Sequence, residues 1–445
     1  MPREKFHQYR NLRTNGNNVV ASVYSIINDY IQQADSDFPV IKKHASNTGT
    51  ANNQVEQQTI LLTGATGSLG AFMLRDMIRS SRVKKIYCLV RHNNHNDLDG
   101  MKQRLATSFR GRLLSESLIN SPKIQVLPMS LNEEPYLGWD QDTYHQVKNE
   151  VTIIQHCAWS MNVRESVEHY ERDMIRGLYN LVKLAYHETN PTHLHFISSN
   201  SATAAWGAPS IPEIPVPHDP TIAMPMGYAY SKYIVERLFD YLAKNKNFPC
   251  FVERVGQVLG DTENGVWNPN QPYPLMMLGG SLIHMIPDLM TMHVQWLPVD
   301  FASASILDIM LKTINTKRST SISASNSPSD IDNSNVFHIL NPKSVSWNTI
   351  LEVLRNYGIQ FEVVSPQRFV EELDKHPENP AYRVKSFFEA RYKAVDSDGK
   401  SMPVWETKKT VQVAPVLAKA PSFNTDLLKK YIEYWHTIGF AIPIV

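Results

Sequence analysis

The sequence predicts an α/β fold: a doubly wound parallel sheet with a smaller lobe built onto its C-terminal side. Two observations carry this. From Thr59 onward, short apolar runs without polar alternation recur between amphipathic stretches, the pattern of strands buried on both faces. The first run also passes through a glycine-rich turn straight into a helical segment, TILLTGATGSLG, the junction that opens such sheets.

Residues 1–57 read as an appendage of a docking helix and a tether. Val19 to Ala34 carries apolar residues at helical spacing, with Val20, Tyr24, Ile27 and Tyr30 on one face. The following KKHASNTGTANNQVEQQ is too hydrophilic to pack and reads as a linker. Residues 58–263 form the nucleotide-binding domain. Its strands are TILLT, KKIYCLVR, KIQVLPM, EVTIIQHCA, HLHFISS and PCFVERVGQVLG. Between them lie helices over Leu69–Arg79, over Glu165–Glu188 as one long element, and from Tyr228 onward. Past residue 264 proline and tryptophan interrupt any long periodicity, so 264–445 reads as the substrate-side lobe. Within it, INTKRSTSISASNSPSDIDNSN (314–335) is low in complexity and predicts a disordered loop.

Composition narrows the function classes. Of 445 residues, 42% are hydrophobic and 20% charged, the balance of an ordinary globular enzyme. A formal net charge of +1 argues against a nucleic-acid footprint. Cys88, Cys157 and Cys250 are widely spaced, giving neither a disulfide framework nor zinc spacing. The 16 histidines are scattered, so no metal is expected. No apolar run reaches the ~18 residues of a membrane span, and the polar N-terminus lacks a signal-peptide core. The expected location is the cytoplasm, with no membrane partner.

The glycine turn predicts a dinucleotide. Gly64, Gly67 and Gly70 form GxxGxxG between strand and helix. The first glycine permits the tight turn, the second lets backbone approach a pyrophosphate, and the third allows close helix–sheet packing. Thr66, Ser68 and Leu69 complete the turn, whose N–H groups and helix dipole face the phosphates. This is the signature of a Rossmann-type fold. The second strand ends in Arg91, where an acidic residue would hold the ribose 2′-hydroxyl of NAD. A cation there suits the 2′-phosphate of NADPH instead, and Arg104 on the next helix can close the same pocket. The bland alternative makes both arginines solvated surface charges.

Tyr228 and Lys232 form YxxxK at a helix start, with both side chains on one face. A phenol's ordinary pKa near 10 is too high for easy proton exchange, and a neighbouring ammonium favours the phenolate. Tyr228 and Lys232 also border the cofactor, where the lysine can hydrogen-bond the nicotinamide ribose. Ser198, Ser199, Asn200 and Ser201 close the fifth strand. Ser199 is the first choice to polarise a substrate carbonyl; Ser201 is the second, and Ser198 reads as a cap for loop backbone. His156, ending the fourth strand, reads equally as a cofactor neighbour or a satisfied core histidine.

Taken together, LLTGATGSLG, CLVR at Arg91, QRL at Arg104, IIQHCAWSMNV, RGLYNLVKLA, FISSNS, GYAYSKYIVER, RVGQVLG, GVWN and WLPVD resemble the extended short-chain dehydrogenases. Among these the resemblance is to thioester reductase domains of nonribosomal peptide and polyketide synthases, and of fungal carboxylic-acid-reductase-like synthetases. It runs from about Thr59 to the low-complexity loop and more faintly beyond, and GVWN with WLPVD sets it apart from the sugar-nucleotide epimerases. The resemblance implies a phosphopantetheine-tethered acyl or peptidyl thioester on a carrier protein, released by NADPH-dependent reduction to an aldehyde or onward to an alcohol. It implies Ser199, Tyr228 and Lys232 as the catalytic triad, with serine where threonine is frequent. Gly64, Gly67, Gly70, Arg91 and Arg104 match its NADPH contacts. The chain carries no adenylation or carrier segment, which reads as an excised domain or an enzyme acting in trans. Competing readings are a fatty acyl-CoA reductase, an epimerase (which would want an acid at Arg91) and a non-catalytic NADPH-binding protein.

Overall fold

The computed structural model describes residues 3–42, 56–94, 96–162, 164–289, 292–314, 334–389, 402–440 and 442, with side chains from residue 18 onward. Most of the expected linker and of the low-complexity loop lies outside these residues.

Seven parallel strands form one sheet. They are β1 (Gln58–Thr63), β2 (Val83–Val90), β3 (Ile124–Pro128), β4 (Ile153–His156), β5 (His193–Ser199), β6 (Cys250–Val255) and β7 (Val336–Ile339). Their order is β7-β6-β5-β4-β1-β2-β3, so the order reverses between β1 and β4, and ligands of such sheets bind outside the strand ends at that crevice. The architecture is the Rossmann-type extended short-chain dehydrogenase fold. The strands lack polar alternation because both faces are covered. Leu61, Ile154, Leu194 and Val252 enter one core, while Ile60, Ile153 and Phe251 enter the other.

The helices are α1 (Arg3–Asp37), α2 (Ser68–Arg79), α3 (Leu98–Arg110), α4 (Gln141–Glu150), α5 (Arg176–Ala185), α6 (Gly227–Asn245), α7 (Pro272–Leu282), α8 (Val299–Thr313), α9 (Trp347–Asn356), α10 (Pro366–Lys375) and α11 (Thr425–Thr437). Helix α1 packs on α6 through Val23, Ile27, Tyr30 and Ala34, all buried in the same core as Leu61. The buried stripe is thus rotated from the expected one, with Val20 and Tyr24 only half-buried. Tyr30 donates to Glu171 at 2.9 Å, and Tyr179 donates to Asp37 at 2.9 Å.

Three expected elements differ. The long helix over 165–188 is broken into a short turn Val167–Tyr170, a π-helical turn Glu171–Ile175, and α5. The sixth strand stops at Val255, and Val258–Leu259 pairs separately with Leu297–Pro298. Gly256 lies between the two, where a Cβ would come 2.7 Å from Leu340 Cδ2. The third difference is larger: within the stretch read as a substrate-side lobe built onto the sheet, one strand and one helix join the main body. Strand β7 pairs with β6, and α8 packs on α2 with Ser303 donating to Asp76 at 2.5 Å. VFHI is only four residues long, and its strand character comes from the open edge of β6 rather than from local pattern.

The rest of the lobe has a tryptophan-rich core. Trp267, Trp296, Trp347 and Trp435 are all buried in it, and the indole N–H of Trp435 donates to the Trp267 carbonyl at 2.7 Å. The GVWN and WLPVD segments meet here. Trp267 and Trp296 lie edge-on with centroids 6.3 Å apart, and the Thr262 hydroxyl donates to Asp300 at 2.6 Å.

Candidate active site

The glycine turn sits at the end of β1 against the end of β4. Gly64 has φ of 75°, and a Cβ there would come 2.8 Å from the Ala158 nitrogen, so only glycine fits this close approach. A Cβ on Gly70 would lie 2.1 Å from the Gly64 carbonyl oxygen. Helix α2 therefore starts directly on the turn. Gly67 is its N-cap, no side chain caps it, and its first turn carries no acid. Those N–H groups and the positive dipole end suit an anion. This cradle of Gly64, Thr66, Gly67, Ser68, Leu69 and Gly70 fits a dinucleotide pyrophosphate.

Arg91 follows the last residue of β2, and Arg104 lies on α3. Both are exposed, and the Arg104 guanidinium donates to the Arg91 carbonyl. The fold brings Arg104 onto the backbone of Arg91.

Ser199, Tyr228 and Lys232 converge at the end of β5. Ser199 Oγ accepts both the N–H of Ser201, at 3.2 Å, and the Ser201 hydroxyl, at 3.0 Å. A hydroxyl has two lone pairs and one proton; with both lone pairs engaged, the Ser199 proton points to its remaining partner. Ser199 is also a hydrogen-bond partner of Tyr228. The capping role expected of Ser198 falls to Ser199, which starts the short turn Asn200–Ala202. Ser198 instead donates to Glu236 at 2.5 Å.

Tyr228 and Lys232 share the inner face of α6, 9% and 2% exposed. Burial pushes the Tyr228 phenol up to about 12, against a lowering by its bond to Ser199, and burial pushes the Lys232 ammonium well below its ordinary range. Desolvation opposes both charges and is the largest influence on each. Lys232 Nζ donates to the Ile197 carbonyl at 2.7 Å and lies 5.6 Å from the Tyr228 ring centroid.

Comparison with known proteins decides the family. The family model described as male sterility protein matches residues 62–306, more than half of the chain. The chain belongs to this NAD(P)-binding reductase family. It is 28% identical over 440 residues to a 3-methylorcinaldehyde synthase of Talaromyces stipitatus, covering 94% of this chain and 15% of that protein. It is 29% identical over 312 residues to an adenylate-forming reductase of Serpula lacrymans var. lacrymans, covering 69% of this chain and 26% of the relative. The chain therefore spans only a small part of the length of these relatives. The terminal R domain from the myxalamid PKS-NRPS biosynthetic pathway shares the fold, with a TM-score of 0.73, 23% identity, and coverage of 93% of this chain and 100% of that one.

In this male sterility family member several site residues carried no recognisable sequence signal. Thr63 is one: its hydroxyl accepts the N–H groups of Cys157, at 3.1 Å, and Ala158, at 3.0 Å, and meets His156 Nδ1 at 2.9 Å. That clasp holds the β1 and β4 ends at the crevice. His156 is 2% exposed, and burial pushes its imidazole down to about 3; it is a neutral core histidine. Arg112 and Ser108 both donate to the Thr66 carbonyl, at 3.3 and 3.0 Å, fixing the glycine turn. Trp159 and Phe196 place their rings 4.2 and 4.4 Å from Lys232 Nζ. Tyr170 stands edge-on to Tyr228 with centroids 6.1 Å apart, and its hydroxyl donates to the Ser160 and Asn162 carbonyls. A bare strand-end loop gives no hint which of its residues will face the site.

Proposed function

We propose that this chain is an NADPH-dependent thioester reductase that releases an acyl or peptidyl group from a carrier protein as an aldehyde. The observation that carries the reading is the convergence of Ser199, Tyr228 and Lys232 at the end of β5, on a sheet whose β1 turn fits a pyrophosphate. The names of the relatives, an aldehyde synthase and an adenylate-forming reductase, support reductive chemistry on an activated acyl group.

In this proposal the α2 N-terminus holds the pyrophosphate, and Arg91 with Arg104 takes the 2′-phosphate that distinguishes NADPH. Bound NADPH supplies the hydride to the thioester carbonyl carbon. The Ser199 hydroxyl turns its hydrogen bond to the carbonyl oxygen, drawing charge onto it. Tyr228, hydrogen-bonded to Ser199, gives its proton to the developing alkoxide. The Lys232 ammonium stabilises the phenolate that remains. Loss of the thiol from the resulting hemithioacetal frees the aldehyde. The thiol belongs to a phosphopantetheine arm, which reaches a buried site where a carrier-protein surface cannot. A second reduction, of the aldehyde, would use the same three side chains.

The test is oxidation of NADPH followed by absorbance with acyl-pantetheine thioesters, acyl-CoAs and free aldehydes. Consumption with the thioesters is expected, and activity on aldehydes would extend the reaction to the alcohol. NADPH binding without consumption on any thioester, including one presented on a carrier protein, would reject the reading.

A further inference from the structure

Behind the three converging side chains lies a buried charged cluster that the mechanism above does not use. Glu236 is one helical turn past Lys232 on α6 and 2% exposed. Its carboxylate accepts from Ser198 at 2.5 Å, from Arg254 Nη2 at 2.7 Å and from Arg254 Nε at 3.0 Å. Arg254, on β6, is 0% exposed. It also donates to the Ile214 carbonyl at 2.9 Å, in the segment between Ser199 and Tyr228, and contacts His338 Nε2 on β7 at 3.1 Å. His338 Nδ1 lies 2.6 Å from the Glu406 carbonyl. That nitrogen must carry the proton, so Nε2 accepts from Arg254 and the ring is neutral. Burial and Arg254 both hold His338 well below its ordinary range.

One ion pair thus joins the strand ending in Ser199, the helix bearing Tyr228 and Lys232, and two neighbouring segments. Such a pair is an expensive way to fill a core, since apolar residues of similar size pack there at no desolvation cost. Its position supplies a reason. Lys232 faces Tyr228 and Glu236 on its own helix, and His156 and Cys157 from the β4 end. The aromatic rings of Trp159 and Phe196 and the Ile197 carbonyl complete its surroundings. Glu236, one turn along the same helix, acts on it alongside Cys157, and Arg254 holds the Glu236 carboxylate in place.

We propose that Glu236, clamped by Arg254, is a positioning residue for the reductase reaction: it sets α6 against β5 through Ser198 and places a counter-charge one helical turn from Lys232. The inference rests on the thioester reductase reading. Burial holds Lys232 well below its ordinary range, and Cys157 and Glu236 act in the opposite sense.

The test compares pH profiles of kcat for the wild type, Glu236→Gln, and the double variant Glu236→Gln with Arg254→Met. Without the carboxylate, Lys232 loses its proton at lower pH. The alkaline limb of kcat should then move down by about one pH unit in the single variant. It should move less in the double variant, which also removes the opposing cation. KM for NADPH should stay within about twofold of the wild type while kcat falls about tenfold or more. The double variant leaves no unpaired buried charge, so it decides the matter if the single variant does not fold. Lowered melting temperatures with a wild-type alkaline limb and wild-type kcat would overturn the proposal, leaving a purely structural ion pair. If the wild type reduces aldehydes but no thioester, the functional reading fails separately, and the same comparison of limbs is made on the aldehyde.

Discussion

Lys232 Nζ donates to the Ile197 carbonyl at 2.7 Å, which ties the helix carrying the YxxxK pair to the strand that ends in Ser199. A lysine 2% exposed and lodged between two aromatic rings is held by geometry. Its amine reaches the backbone two residues before the serine that polarises the substrate in the proposed reaction.

Tyr228→Phe removes the proton donor and little else, since the ring still fills its place beside Tyr170. Turnover should fall by roughly a hundredfold or more, while NADPH affinity, followed by the cofactor's fluorescence, should change little. Retained turnover would assign proton transfer to another group.

Arg91→Ala should weaken NADPH by about tenfold to a hundredfold, the worth of a charge-assisted contact, and leave NADH nearly unaffected. Titration of both cofactors against the variant checks this. Equal losses for both would remove Arg91 from the 2′-phosphate pocket.

Gly227→Ala tests how tightly the site is assembled. A Cβ there would stand 2.2 Å from the Glu165 carbonyl oxygen and 2.7 Å from the Ser166 carbonyl carbon, so backbone must shift next to Tyr228. We expect a loss of about 1–3 kcal/mol, read by thermal or urea denaturation, together with reduced kcat.

Acid stability should report His156. Its folded pKa of about 3 is depressed from 6.5 by burial, so the unfolded chain binds the extra proton first. The stability this group contributes is complete above pH 6.5 and is lost as pH falls toward 3, at about 1.4 kcal/mol per pH unit between them. His338, also held low, steepens the same decline. Urea midpoints measured across this range should fall steadily with pH. In His156→Asn the slope should drop by one proton's worth; an unchanged slope would show that His156 does not titrate there.

Much of the sheet was legible in the sequence because its signals are local. Runs such as TILLT and HLHFISS show their burial by composition, and GATGSLG shows its turn by glycine spacing. Gly64 needs its positive φ, and Gly70 has no room for a Cβ, whatever surrounds them. The YxxxK pair is likewise set by helical periodicity. Legibility failed where identity depends on a partner distant in sequence. VFHI is a strand because β6 has an open edge. The cap expected of Ser198 fell to Ser199, and Ser198 turned inward, because Ser201 and Glu236 were there to bond them.

The sequence by itself determined the fold class, the βα turn that fits a dinucleotide, and the residue types that could move a proton, since each follows from spacing within a few residues. Only the tertiary structure decided the rest. It brought Arg104 to Arg91, paired Ser199 with both Ser201 and Tyr228, buried Lys232 against Trp159 and Phe196, and set the Glu236–Arg254 pair behind it. Hydrogen bonds and desolvation act over a few ångströms of space rather than of chain, and only the folded chain fixes which distant residues those few ångströms contain.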